Sequence, residues 1–122
     1  MRILWIDDEA DVLYLCQAIL SKQGHEVYTL QDSLRVLDTI SETQPDVILV
    51  DHWMPGMTGL ELTRQLKNSP YAAIPVIMCT SNPEIKEEAV KAGADVFITK
   101  PFSIDEVSMV IQRATQLRQK GS

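Results

Sequence analysis

The sequence predicts an α/β fold: a five-stranded parallel sheet with helices on both faces. Three observations predict it. Short apolar runs alternate five times with segments of helical period, the pattern of strands joined by crossover helices. All but one of these runs are nearly continuously apolar, as in strands covered on both faces. Glycines and capping residues punctuate the segments between them at the positions where helices start and stop.

The strands are expected at residues 2–6, 26–30, 46–50, 75–79 and 95–99. The second, Glu26-Val27-Tyr28-Thr29-Leu30, mixes polar with apolar residues and is the expected edge strand. Gly24 and Gly93 stand just past the first and fourth helices, where left-handed geometry favours glycine. Thr58-Gly59-Leu60-Glu61 and Ser103-Ile104-Asp105-Glu106 fit capping boxes that open the third and last helices. Asn82-Pro83 supplies a cap followed by proline at a first helical position. The last helix carries Ile104, Val107, Val110, Ile111, Ala114 and Leu117 on one stripe. One domain is expected over residues 1–118, with 119–122 as a tail or the start of a linker.

A chain of 122 residues makes one domain that buries roughly two-thirds of its unfolded surface without disulfide or structural metal. The net charge of −6 argues against a nucleic-acid or anionic-membrane surface. Only Arg113, Arg118 and Lys120 lie close together among the basic residues, as a solvated helix end. Cys16 falls mid-helix and Cys79 in a strand, so two buried thiols in a reducing cytosol fit better than a disulfide. No signal peptide is visible, and the apolar runs are far below the ~20 residues that span a bilayer. A cytoplasmic location is expected.

Parallel strands of one sheet put their C-terminal ends on a single edge, where open α/β sheets place ligands. Asp7, Asp8, Asp51, Thr80 and Lys100 each lie at the end of one of the apolar runs. Three crowded carboxylates repel one another, and a divalent cation removes that penalty. Oxygen-only ligands select a hard cation, and few protein ligands with room for water and a phosphate oxygen favour Mg²⁺. Asp51 closes the central strand and precedes His52-Trp53-Met54-Pro55-Gly56-Met57-Thr58-Gly59, a loop whose glycines allow tight turning beside a ligand. It is the candidate nucleophile, since a carboxylate accepts a phosphoryl group as an acyl phosphate. Such transfer rests on positioning and charge neutralisation, for which Mg²⁺, the Lys100 ammonium and the Thr80 hydroxyl supply one partner per phosphoryl oxygen. The Lys100-Pro101 bond is a candidate cis peptide, which fixes where the lysine points.

These motifs resemble the receiver domain of bacterial two-component response regulators: the Asp7-Asp8 pair after Ile3, Asp51 with Met54-Pro55-Gly56-Met57-Thr58-Gly59, Thr80-Ser81, and Gly93-Ala94-Asp95 through Lys100-Pro101-Phe102. The match covers essentially the whole chain. Right-handed crossovers leave few arrangements of five such units, and the resemblance selects the flavodoxin-like order 2-1-3-4-5. It implies that Asp51 is the phosphoacceptor and that Asp8, helped by Asp7 and the backbone carbonyl of Trp53, carries Mg²⁺. It further implies that Thr80 and Lys100 bind the phosphoryl group and that Phe97 is the switch aromatic. The implied donor is a histidine kinase or histidine phosphotransfer domain. The implied output is another domain or protein at the face of the fourth helix, fifth strand and fifth helix. Val12-Leu13-Tyr14-Leu15-Cys16 is too long an apolar run for one buried stripe, which makes Val12 and Leu15 candidates for kinase docking.

Taken singly, each site residue has a plainer explanation. Asp7-Asp8 fits a helix cap, Asp51 a loop acid, Thr80 β-propensity and Lys100 a solvated side chain. Their joint placement at strand ends favours the site. Phe97 alone fits core, and so does Trp5; His25 fits a loop, and His52 a structural residue pointing to the opposite side of the strand from Asp51. Two other readings compete. A haloacid-dehalogenase-like phosphatase also forms an aspartyl phosphate, but places its second Asp two residues after the first rather than next to it. A phosphate-independent receiver is the other, against which every required side chain is present. On the favoured reading the chain is a signalling domain and no enzyme beyond its own phosphorylation and dephosphorylation.

Overall fold

The structure, a computed structural model, describes the backbone of residues 1–120 and the side chains of residues 1–116. Five strands, β1 (Arg2–Ile6), β2 (Glu26–Leu30), β3 (Val47–Asp51), β4 (Val76–Thr80) and β5 (Val96–Thr99), alternate with helices α1 (Ala10–Lys22), α2 (Val36–Thr43), α3 (Gly59–Lys67), α4 (Lys86–Ala92) and α5 (Ile104–Lys120). The sheet is parallel in the order β2-β1-β3-β4-β5. β2 lies at an edge, as its mixed composition requires.

Alternation along the strands divides the core between two faces. Ile3, Trp5, Leu49, Ile77 and Ile98 pack against α1 and α5 through Leu13, Leu20, Val107 and Ile111. Leu4, Ile6, Ile48 and Val50 pack on α2 and α3 through Ile40, Leu62 and Leu66. A smaller group, Leu60, Met78, Ala89 and Ala92, joins α3, α4 and the sheet. Cys16 and Cys79 are free, buried thiols, and burial pushes both above the ordinary thiol range. Trp5 is core, as expected, and is fully buried with its ring 5.9 Å from that of Phe102.

The caps fall where the sequence places them. Thr58 accepts from the Glu61 amide and Ser103 from that of Glu106; Gly24 and Gly93 take φ of +93° and +105° past α1 and α4. Asn82 accepts from Glu84 N–H at 3.0 Å, but the turn it opens is a 3₁₀ turn, Pro83–Ile85, and α4 proper follows it. The third, fourth and fifth strands start one residue later than expected. For β4 the cause is Pro75, which has no N–H and leaves Val76 as the first donor. α5 continues through Lys120, so Gln119 and Lys120, expected in the tail, are helical. Gly121 and Ser122 lie outside the described residues, as do the side chains of Leu117, Arg118 and Lys120. Among the described residues no helix is long and apolar enough to cross a membrane.

Candidate functional site

The strands deliver their terminal residues to one edge because the ladder continues a residue past each of them. Asp7 N–H donates to Leu30 O, His52 N–H to Cys79 O, and Lys100 N–H to Thr80 O at 2.8 Å. Ile6 pairs with Val50 in register, so Asp7 lies beside Asp51 across the β1–β3 crevice. Asp7, Asp8 and Asp51 each bring a carboxylate oxygen within 4.8 Å of the others. Asp7 and Asp51 are buried, whereas Asp8 is exposed.

Lys100 closes the cluster. Its bond to Pro101 is cis, and its ammonium lies 2.7 Å from Asp7 Oδ2, 3.2 Å from Asp51 Oδ1 and 3.7 Å from Glu9 Oε1. Burial pulls the lysine pKa down, but hydrogen bonding and charge from Asp7, and then Asp51, outweigh it and hold the ammonium above the ordinary lysine range. Asp51 is pushed from 3.8 up to about 6, first by burial and then by the charge of Asp7, with Lys100 opposing both. One ammonium therefore leaves the carboxylate set short of positive charge. That shortfall, in an all-oxygen donor set with one exposed member, fits a hard divalent cation such as Mg²⁺.

The other expected residues are positioned as follows. Thr80 is fully buried at the end of β4, and its hydroxyl accepts from Asn82 N–H at 3.1 Å. Phe97 pairs with Met78 in register and packs half-buried on the α4 group with Ala89 and Ala92. Trp53 is 60% exposed in the loop after Asp51, its indole edge-on to His52 with centroids 4.7 Å apart. His52 is buried, on the strand face opposite Asp51 by alternation. Asp7 does not cap α1 directly; its Oδ1 accepts the Glu9 amide at 2.9 Å, an Asx turn that sets the acid and starts the helix.

Two features went unread in the sequence. Gly59, noted only for turning and capping, opens α3 against Asp51: a Cβ there would stand 2.5 Å from the Asp51 carbonyl oxygen. The second is a groove of about 470 Å³ beside Lys100, between α1 and the start of α5. It is lined by Val12, Leu15, Cys16, Ile19, Phe102 and Ile104. The unbroken α1 run announced surplus apolar surface, and the structure locates it: Leu13 and Cys16 are buried, while Tyr14 and Leu15 are exposed.

Residues 3–112 match the response regulator receiver domain family. The chain belongs to that family. The receiver is 34% identical over 119 residues to the regulatory protein AtoC of Escherichia coli, covering 96% of this chain and 26% of AtoC. It is 36% identical over 122 residues to the phosphate regulon transcriptional regulatory protein PhoB of Pseudomonas aeruginosa, covering 98% of this chain and 52% of PhoB. The receiver thus spans about a quarter to a half of these relatives. Among solved structures, the receiver domain of NtrX from Brucella abortus superposes with a TM-score of 0.84 at 35% identity, covering 93% of this chain and 98% of that one. The Vibrio cholerae chemotaxis protein CheY4 gives 0.85 at 31%, covering 93% and 97%. These likenesses confirm the expected fold and lend no support to a haloacid-dehalogenase-like phosphatase or a phosphate-independent receiver.

Proposed function

We propose that this receiver takes a phosphoryl group onto Asp51 from the phosphohistidine of a histidine kinase or histidine phosphotransfer domain. One observation carries the reading: a single ammonium bridges two buried carboxylates on the sheet edge, next to a third that is open to solvent. An Asp51 carboxylate oxygen attacks phosphorus, and the P–N bond to the donor imidazole breaks. The electron pair stays on the imidazole, and an acyl phosphate forms on Asp51. Asp8 and Asp51, with Asp7 and the Trp53 backbone carbonyl, would hold Mg²⁺, whose charge offsets that of the phosphoryl oxygens. Lys100, held at the site by Asp7, takes a second phosphoryl oxygen, and the Thr80 hydroxyl a third.

The Thr80 contact supplies the switch. Its hydroxyl serves the Asn82 amide in the resting receiver, so a turn toward the phosphate releases the start of the β4–α4 connection. Phe97 packs on the same α4 group and follows. The face of α4, β5 and α5 then changes for a downstream domain or protein, with no direct contact between the receiver and nucleic acid. Val12 and Leu15, lining the groove beside Lys100, are the proposed docking residues for the helical donor. We place this exchange in the cytoplasm, in keeping with two buried free thiols; the receiver acts on no substrate beyond its own phosphorylation and dephosphorylation.

Incubation with Mg²⁺ and acetyl phosphate, and separately with a phosphohistidine donor, tests the reading. A phosphoprotein that accumulates supports it. Rapid turnover of phosphate esters without accumulation would mean a hydrolase, and no reaction at all a phosphate-independent receiver.

A further inference from the structure

We propose that Lys67 pins the C-terminal end of α4, so that the Thr80 switch moves α4 as a lever hinged at Gly93. The inference rests on the phosphorylation reading above and adds where the motion stops. Lys67, the last residue of α3, directs its ammonium to Ala72 O at 3.1 Å, Ile74 O at 3.0 Å and Asp95 Oδ2 at 2.8 Å. The same Asp95 oxygen accepts from Val76 N–H at 2.9 Å, and Asp95 N–H returns a bond to Val76 O. One lysine head therefore ties the α3–β4 connection to the starts of β4 and β5. The Lys67 side chain is 19% exposed and that of Asp95 33%, so the pair is only partly sheltered, and its hold comes from the two carbonyls and the Val76 amide that share the same two groups.

The stem of Lys67 makes the second contact. A Cβ on Gly93 would stand 2.7 Å from Lys67 Cγ, so the stem runs against the residue that caps α4. Gly93 is also at φ +105°, and both demands exclude a larger residue there. The body of α4 is held more loosely. It faces Leu60 and Met78 with Ala89 and Ala92, small side chains that bury little area and interlock little. At the other end, the Thr80–Asn82 bond that begins the β4–α4 connection is the one the switch removes. A short helix with a releasable start, a smooth underside and a clamped end turns about the clamp. The clamp lies at the N-terminal ends of β4 and β5, a strand's length, about 15 Å, from the acidic edge.

Hydrogen exchange on the whole chain, with and without phosphorylation by acetyl phosphate and Mg²⁺, tests the hinge in wild type, Lys67→Met and Asp95→Asn. The methionine keeps the stem and removes the head; the asparagine keeps the shape and removes the charge. Intact mass establishes phosphoryl loading in each. In wild type, phosphorylation should speed exchange at Asn82–Glu88 and leave Gly93–Asp95 unchanged. In both variants, loading should proceed at the wild-type rate while exchange at Gly93–Asp95 rises about tenfold on phosphorylation. Equal acceleration from Asn82 to Asp95 in wild type, or a wild-type pattern in the variants, would overturn the hinge. Loss of the folded state in both variants would overturn it too, by making the clamp a prop for the whole domain. A wild-type protein that takes up no phosphoryl group would instead overturn the functional reading beneath it.

Discussion

Lys100 Nζ stands 2.7 Å from Asp7 Oδ2 and 3.2 Å from Asp51 Oδ1, so one ammonium serves two buried acids at the ends of neighbouring strands. Without a metal the balance is incomplete, and Asp51 is raised from 3.8 to about 6. Between those values the folded state binds more protons at Asp51 than the unfolded chain, so this group lowers stability as pH rises through the window. A divalent cation should relieve the penalty only where Asp51 is ionised. Mg²⁺ at about a hundred times its dissociation constant, worth about 2.7 kcal/mol, should raise the melting midpoint by several degrees at pH 7.5 and by clearly less at pH 5. Calorimetry in Mg²⁺ and in chelator checks this; an equal shift at both pH values would break the link to Asp51.

Gly59→Ala should damage both stability and phosphorylation. The new methyl would meet Asp51 O at 2.5 Å and His52 Cα at 2.8 Å, backbone atoms that cannot rotate away. Overpacking of this kind costs about 1–3 kcal/mol, and displacing Asp51 should slow phosphorylation by acetyl phosphate at least about tenfold. Urea unfolding and single-donor kinetics measure the two effects. An alanine variant with both unchanged would mean that α3 is free to shift.

The fold class, the edge position of β2 and the caps at Thr58, Asn82 and Ser103 were legible because each has a local chemical signature. The order of the strands was not; several right-handed windings satisfy the same pattern, and the family resemblance chose among them. Strand starts slipped by one residue because Asp46, Pro75 and Asp95 each still make a backbone bond to the neighbouring strand (Asp46 N–H to Arg2 O, Asp95 N–H to Val76 O, Pro75 O from Ile48 N–H) without pairing in its register. Asp7, Asp8, Asp51 and Lys100, which the structure gathers at one edge, were legible as candidates because charge at the end of an apolar run is conspicuous. The engagement of Thr80 by Asn82, the contact of Gly59 with Asp51 and the clamp at Lys67 stayed hidden. Each depends on how close two segments come, which spacing along the chain does not encode. The α1 run showed that apolar surface must face outward and offered Val12 and Leu15 for it; Leu15 is exposed, Val12 is only half-buried, and the exposure of Tyr14 was not anticipated.

Leu15→Glu should separate donor recognition from chemistry. Leu15 is 59% exposed in the groove beside Lys100, so the change leaves the core intact and places a charge where a helical partner would bury apolar surface. Phosphorylation by acetyl phosphate should remain within about twofold of wild type, while transfer from a phosphohistidine protein should fall about tenfold or more. Equal loss with both donors would point to misfolding, and no loss with either would remove Leu15 from the docking surface.

Trp53→Asn should shorten the life of the aspartyl phosphate. The exposed indole, edge-on to His52, stands two residues after Asp51, where it would obstruct a water approaching an Asp51 phosphate in line and could not orient one as a carboxamide would. A carboxamide in its place removes the shield and supplies a polar group to direct the attack. Phosphoprotein decay in Mg²⁺ should quicken several-fold; a rate unchanged or slower would show that Trp53 does not protect the bond.

The most direct measurement is the intact mass of wild type and Asp51→Asn after incubation with acetyl phosphate and Mg²⁺. The substitution keeps the size of the side chain while removing the nucleophilic carboxylate at the end of β3. Wild type should gain the mass of one phosphoryl group and the variant none, with both giving the same circular dichroism spectrum. A phosphoryl group on the Asn variant, or none on wild type, would contradict the assignment of Asp51 as the acceptor.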